Sequence, residues 1–186
     1  MKIKNNTSLL QNVNKKLSIQ FNLGGFSFCI SDISAQKDLF FKNYSFTKKE
    51  KTPEDLLIKI EEIFKTDTHL QDEFSEIVVI HQNSLSTLVP NSYFDKDKLN
   101  SYLEYNIKTF STDFITFDDL PIINAKNVYI PYVNINNYIF QNFGEFTYKH
   151  YSSVLIDKLI SKTKTTKKTM YVNVSDTNFD IVILEN

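Results

Sequence analysis

The chain has 186 residues, 41% of them hydrophobic, which is enough for one domain with its own core. Its 21 cations are all lysine and stand against 22 acids, for a net charge of −1; without arginine, the planar bidentate grip on phosphate or a guanine edge is missing, which excludes a dedicated nucleic-acid binder. Three glycines, Gly24, Gly25 and Gly144, exclude the Walker and dinucleotide-binding loops, the single cysteine, Cys29, excludes an internal disulfide, and no run approaches the ~18 apolar residues of a transmembrane segment.

Residues 1–15 carry Lys, Asn and Ser around Leu9-Leu10, lack the apolar stretch of a signal peptide, and are expected to be a disordered N-terminus on a cytoplasmic protein. Leu17, Ile19, Phe21 and Leu23 then alternate with Ser18, Gln20 and Asn22, the pattern of a half-buried strand. Gly24-Gly25 supplies a tight turn into a second alternating strand, Phe26, Phe28 and Ile30, with Cys29 in its interior, and a third strand is expected over Asp38–Phe46.

Thr52-Pro53-Glu54-Asp55 places a capping hydroxyl, a first-turn proline and two acids ahead of Leu56, Leu57, Ile60, Ile63 and Phe64, one face of a helix. Ile77-Val78-Val79-Ile80 reads as a strand covered on both faces and parallel to its neighbour. A short strand around Leu85–Val89, a helix capped by Asp95 with Leu99, Tyr102, Leu103 and Ile107, an irregular stretch over Thr109–Ala125 and a buried strand at Val128–Ile130 follow. Asn134 is expected to cap a helix that Gly144 stops, and a brief strand over Phe146–Tyr151 precedes a helix bearing Val154, Leu155, Leu159 and Ile160. The Lys and Thr run at 162–168 reads as a linker, and Met170–Val174 with Phe179–Leu184 as a fresh hairpin.

Three antiparallel strands, a helix, then strands alternating with helices is the order of ribonuclease-H-like and actin-like ATPase domains, an α/β class. Val172-Asn173-Val174-Ser175-Asp176-Thr177-Asn178-Phe179-Asp180-Ile181 lies along the V-D-I-G-G-G-T-T-D-I phosphate hairpin of bacterial actin homologues. The wording of the chain also resembles an uncharacterised Bacteroidota family, the domain-of-unknown-function family 3822. The likeness is carried by Lys16–Gln20, Phe26–Ile30, Asn83–Pro90, Val128–Tyr138, Phe143–Phe146 and Lys149-His150. The resemblance implies an actin-like ATPase fold and no settled activity. On it, residues 16–161 form a first lobe, 162–168 a linker and 169–186 the opening hairpin of a second, truncated lobe.

Actin-like ATPases hold Mg²⁺ near acidic residues at two hairpins and bring phosphates against glycine backbone. At the first hairpin, Asn22, Gly24 and Gly25 have no acid beside them; at the second, Asn173 stands for Asp, and Ser175 and Asp176 stand for Gly. An amide lacks the charge that holds a divalent cation, so these positions read as degenerate, and no catalytic residue, metal site or cofactor is assigned. Two functions stay open: a non-catalytic scaffold or protein-interaction module with an unidentified protein partner, and a divergent ATP·Mg-binding or kinase-like enzyme using Asn22, Asn173 and Asp176. A structural fragment without independent function is a third. His69, His81 and His150 are far apart in sequence, with His81 the most interesting because it ends a buried strand. Tyr129, Tyr132, Tyr138 and Phe140 suggest an aromatic interface.

Overall fold

The computed structural model of the chain describes residues 14–163, 167–175 and 178–185. Most of the expected N-terminal segment, the middle of the expected linker and the candidate Asp176 lie outside the described residues.

Strand β1 (Lys15–Asn22) turns Leu17, Ile19 and Phe21 inward, all fully buried, as its alternation requires. β2 (Gly25–Asp32) pairs antiparallel with β1 and buries Phe26, Phe28 and Ile30 on the same face; β3 (Lys37–Ser45) pairs antiparallel with β2. Gly25 is required here for close approach: its φ is +144°, and a Cβ would lie 1.9 Å from the Tyr44 carbonyl oxygen.

Helix α1 (Pro53–Thr66) starts where Thr52 accepts the Asp55 backbone N–H at 3.2 Å, and it presents Leu56, Ile60 and Phe64 to the sheet. β4 (Glu76–His81) lies parallel to β1 on one side and to β8 (Thr147–His150) on the other, giving a five-stranded sheet of order β3-β2-β1-β4-β8. Ile77 and Val79 are buried on the inner face, and Val78 and Ile80 are only partly covered on the other. α3 (Val133–Phe143) lies beside α1 on the inner face, adding Ile135 and Ile139 to a core shared with all three N-terminal strands. α4 (Tyr151–Lys162) follows β8 directly.

The segment between β4 and α3 departs from the sequence reading. β5 (Ser86–Pro90), β6 (Thr116–Leu120) and β7 (Ala125–Tyr129) form a separate antiparallel sheet of order β5-β7-β6. The stretch read as irregular thus contains β6, whose Thr-Phe-Asp-Asp-Leu carries its acids at positions that hydrogen bonding and ion pairing satisfy: Asp118 is buried and Asp119 pairs with Lys126 at 2.7 Å. Asp95 caps a 3-10 turn at Lys96–Lys98, and α2 (Leu99–Leu103) ends before Ile107. Val89, Leu103, Val128 and Ile130 make this insert's own small core.

Asn134 does not cap α3. The cap residue is Tyr132, and the Asn134 amide instead donates to the Pro53 carbonyl at 2.7 Å, tying α3 to the start of α1. The aromatic cluster is likewise mostly interior, since Tyr129 and Tyr132 are buried and Tyr138 is half-buried, leaving Phe140 exposed. Each buried tyrosine has a partner for its hydroxyl, Asp118 for Tyr129 and the Gln82 carbonyl for Tyr132.

β9 (Thr169–Val174) and β10 (Phe179–Leu184) form a two-stranded sheet of their own and do not extend the five-stranded one. They touch α4 through a Tyr151 to Asp180 hydrogen bond of 2.9 Å and a Thr163 to Tyr171 hydroxyl contact of 2.6 Å.

Candidate functional site

The carboxyl ends of β1 and β4 and the start of α4 after β8 open toward one cleft, the place where open α/β sheets receive ligands. Its walls are the β1–β2 turn (Asn22, Gly24, Gly25), the end of β3 and the loop after it (Asn43 to Lys49), the loop after β4 (Gln82, Asn83, Ser84), Tyr151 and the β9–β10 turn (Ser175, Asn178). The cleft has a volume of about 600 Å³. Both sequence-predicted hairpins therefore converge, from segments about 150 residues apart, on one space.

The β1–β2 turn is closed on itself. The Gly24 N–H donates to Asn22 Oδ1 at 2.7 Å, and the Gly24 and Leu23 carbonyls accept from Phe46 and Glu50 N–H groups. Asn22 Nδ2 and Gln20 Nε2 both donate to Gln82 Oε1, at 3.1 and 2.8 Å. This carboxamide triad crosses β1 and the end of β4, and the sequence offered no sign of it, because Gln20 and Gln82 stand 62 residues apart. Gly25, read from the sequence as a turn residue and a degenerate phosphate-hairpin position, brings β2 against β3.

At the second turn the Ser175 N–H donates to the Asn178 carbonyl at 2.8 Å. Asn173 lies in register with Asp180 and donates to it at 3.1 Å, while Tyr151 takes the other carboxylate oxygen. Asp180, the acid that keeps its place in the hairpin pattern, is thus engaged on both oxygens. Among the described lining residues Lys49 is the one formal charge and none is a carboxylate. A divalent cation has no acidic ligand among them, and the Gly24 and Ser175 N–H groups are already donated within the chain.

A second polar cluster lies under the insert. His81 and His150 are neighbours in the β4–β8 register, although 69 residues separate them in the chain, and both are fully buried. His81 Nδ1 accepts the Tyr132 N–H at 3.3 Å at the start of α3, and its Nε2 meets Asn136 Oδ1 at 2.9 Å. His150 Nε2 meets the Asn83 carbonyl at 3.1 Å, which assigns that nitrogen the proton and leaves Nδ1 to accept from Ser152 Oγ at 2.6 Å. Burial pushes both imidazoles down to about 4, so both are neutral near pH 7.

Asp118 accepts from the Tyr129 hydroxyl and the His150 backbone N–H, and burial raises its carboxyl above the usual range. Asn127 Nδ2 reaches His150 Nδ1 and the Ser152 and Ser153 hydroxyls. Ser152 and His150 are in contact, but Asp118 meets the His150 backbone and not its ring, so no carboxylate orients the imidazole as a base. The cluster clamps the insert to β8 and α4. Cys29 is half-buried between Asp38 and the sheet, which raises its thiol, burial being the larger cause. No group of three His, Cys, Asp or Glu able to hold a metal occurs among the described residues, and none of their helices is long and apolar enough to cross a membrane.

Residues 4–186 match the profile of a family described as a protein of unknown function, DUF3822. A crystal structure from Bacteroides thetaiotaomicron VPI-5482, described as a protein with actin-like ATPase fold and unknown function, superposes with a TM-score of 0.79 at 18% identity, covering 94% of this chain and 67% of that one. The cytoplasmic domain of EpsL, an inner membrane component of the type II secretion system of Vibrio cholerae, matches with a TM-score of 0.47 at 11% identity, covering 91% of this chain and 71% of that one. No curated protein matches the chain. The superposition on the Bacteroides structure shows the actin-like ATPase fold, with the sheet order and helices described above.

Proposed function

The chain belongs to the DUF3822 family of proteins of unknown function, and we propose that it serves there as a non-catalytic scaffold or protein-interaction module built on an actin-like ATPase fold. The observation that carries this reading is the chemistry of the cleft: amides and hydroxyls, one lysine, and no carboxylate among the described lining residues. A triphosphate with its Mg²⁺ needs acidic ligands for the metal and free backbone donors for the phosphates, and among the described turn residues the Gly24 and Ser175 N–H groups are donated internally, to Asn22 and Asn178. What the fold retains is its sheet, its two convergent hairpins and a polar floor in which Gln20 and Asn22 hydrogen-bond to Gln82. Isothermal titration of ATP into the full chain, with Mg²⁺ and with EDTA, tests the reading. The expected outcome is no heat of binding in either series. Micromolar, Mg²⁺-dependent binding would overturn it in favour of a divergent ATP-binding protein, and Asn22→Ala should then weaken that binding.

A further inference from the structure

We propose that the groove at the amino end of β4 is the docking site of the chain's own residues 1–13, with Leu9 and Leu10 as its apolar anchors. This goes beyond the scaffold reading and does not depend on it.

The groove lies at the end of the sheet opposite the cleft, where β4 begins, between the last turns of α1 and α3 and the 3-10 turn Thr68–Gln71. Its volume is about 570 Å³. Phe64, Leu70 and Ile77 form a buried floor, and the rings of Phe74, Tyr138 and Phe143, half-covered by the core, wall it. An open aromatic trough of this size is what apolar ligands and peptide anchors fill. None of the described residues of β9 or β10 lines it.

Position and charge select the occupant. The chain enters the described structure at the rim of the groove: the Lys15 carbonyl accepts the Ser75 N–H at 2.9 Å, and the Lys15 ammonium pairs with the lining residue Asp72 at 2.8 Å. Leu10 stands four residues ahead of Asn14, about 13 Å of extended chain, so Leu9 and Leu10 reach across a space of this volume. Tethering at Asn14 holds the segment at a local concentration on the order of millimolar, an advantage that no free partner shares. Residues 1–13 carry Lys2 and Lys4 and no acid, while the rim charges are Asp72, Glu73 and Lys65. Lys15 neutralises Asp72 and Glu61 lies 4.0 Å from Lys65, which leaves Glu73 as the one rim charge without an ion pair among the described residues, opposite in sign to the segment. The family match begins at residue 4 and takes in Leu9-Leu10, the one adjacent apolar pair of the segment.

A nitroxide on Thr7→Cys is the test, in the full chain with Cys29→Ser so that no second thiol is labelled. It should broaden the amide signals of Leu70, Phe74 and Phe143 and leave Gly24 and Ser84, at the cleft end of the sheet, sharp. Adding Leu9→Glu with Leu10→Glu should reduce the broadening at the groove about threefold or more. Broadening that the two glutamates leave unchanged belongs to a segment that is only tethered nearby, and overturns the proposal. Broadening centred elsewhere, or none because a partner or another segment fills the groove, overturns it equally. With Cys29 in place, Leu9→Glu with Leu10→Glu should also speed amide exchange over residues 68–74 about threefold or more and leave β2 and β3 unchanged, and equal rates overturn the proposal even if Cys29→Ser fails to fold. Neither measurement turns on ATP·Mg²⁺, so the scaffold reading stands or falls separately.

Discussion

In β1 and β2 the inward apolar side chains of an alternating hairpin are 0% to 4% exposed, whereas in β9 and β10 those of a second alternating hairpin are 49% to 76% exposed. The alternation is equally regular in both. The difference lies in which face meets a helix: α1 and α3 cover the apolar face of the first hairpin, while α4 meets the mixed face of the second, because Tyr151 and Thr163 offer hydrogen bonds to Asp180 and Tyr171. Period-two patterning decides that a strand has two kinds of face. It does not decide which one another element will cover.

Acid should separate the two regions most. His81 and His150, at the ends of β4 and β8, are held near 4 by burial against an ordinary value of 6.5. Between those values the unfolded chain binds more protons than the folded one, so stability that is complete above pH 6.5 is lost as pH falls toward 4, by about 3 kcal/mol for each histidine. Asp118 acts in the opposite sense, since its raised carboxyl takes up a proton more readily in the folded state, and it offsets a part of the loss. Urea unfolding followed at pH 7 and pH 4.5 should show the midpoint falling sharply. His81→Gln, which removes one titrating site, should shrink that fall; a midpoint indifferent to pH would refute the assignment.

Core truncation is the next largest contrast. Phe28→Ala opens a cavity in the core that β2 shares with α1 and α3 and should cost about 3–5 kcal/mol, whereas Ile181→Ala should cost less than about 0.5 kcal/mol. Equal costs in urea unfolding would mean that the second hairpin is covered after all.

The smallest effect is local. Tyr151→Phe deletes the hydroxyl that holds Asp180, worth about 1 kcal/mol, and should speed amide exchange in β9 and β10 about fivefold while leaving β1 and β2 unchanged. Exchange rising equally in both hairpins would show that they open as one unit.

Much of the main sheet was legible because its signals are local. The Thr52-Pro53 cap, the Gly24-Gly25 turn and the inward rows of β1 and β2 each depend on residues within a few positions of one another. The insert was less legible. In β6, Asp118 and Asp119 look like loop residues until Tyr129, His150 and Lys126 are placed against them. Four of the six candidate positions in the two turns, Asn22, Gly24, Gly25 and Ser175, line the cleft, Asn173 is bonded to Asp180 outside its lining, and Asp176 lies outside the described residues. The carboxamide of Gln82 and the pairing of His81 with His150 had no local signal at all.

By itself the amino-acid sequence determined the α/β order of elements, the absence of arginine-based recognition and the replacement of acid and glycine by amide and hydroxyl in the second hairpin. Only the tertiary structure decided that the β5-β7-β6 sheet stands apart from the main one, that Gly25 serves strand contact and that the two turns share one cleft. It also decided that the apolar face of β9 and β10 points away from α4. The physical reason is range: caps, turns and periodicity are settled within a few residues, while hydrogen bonds that span 60 residues and the choice of which face is buried depend on the energy of the whole packed chain.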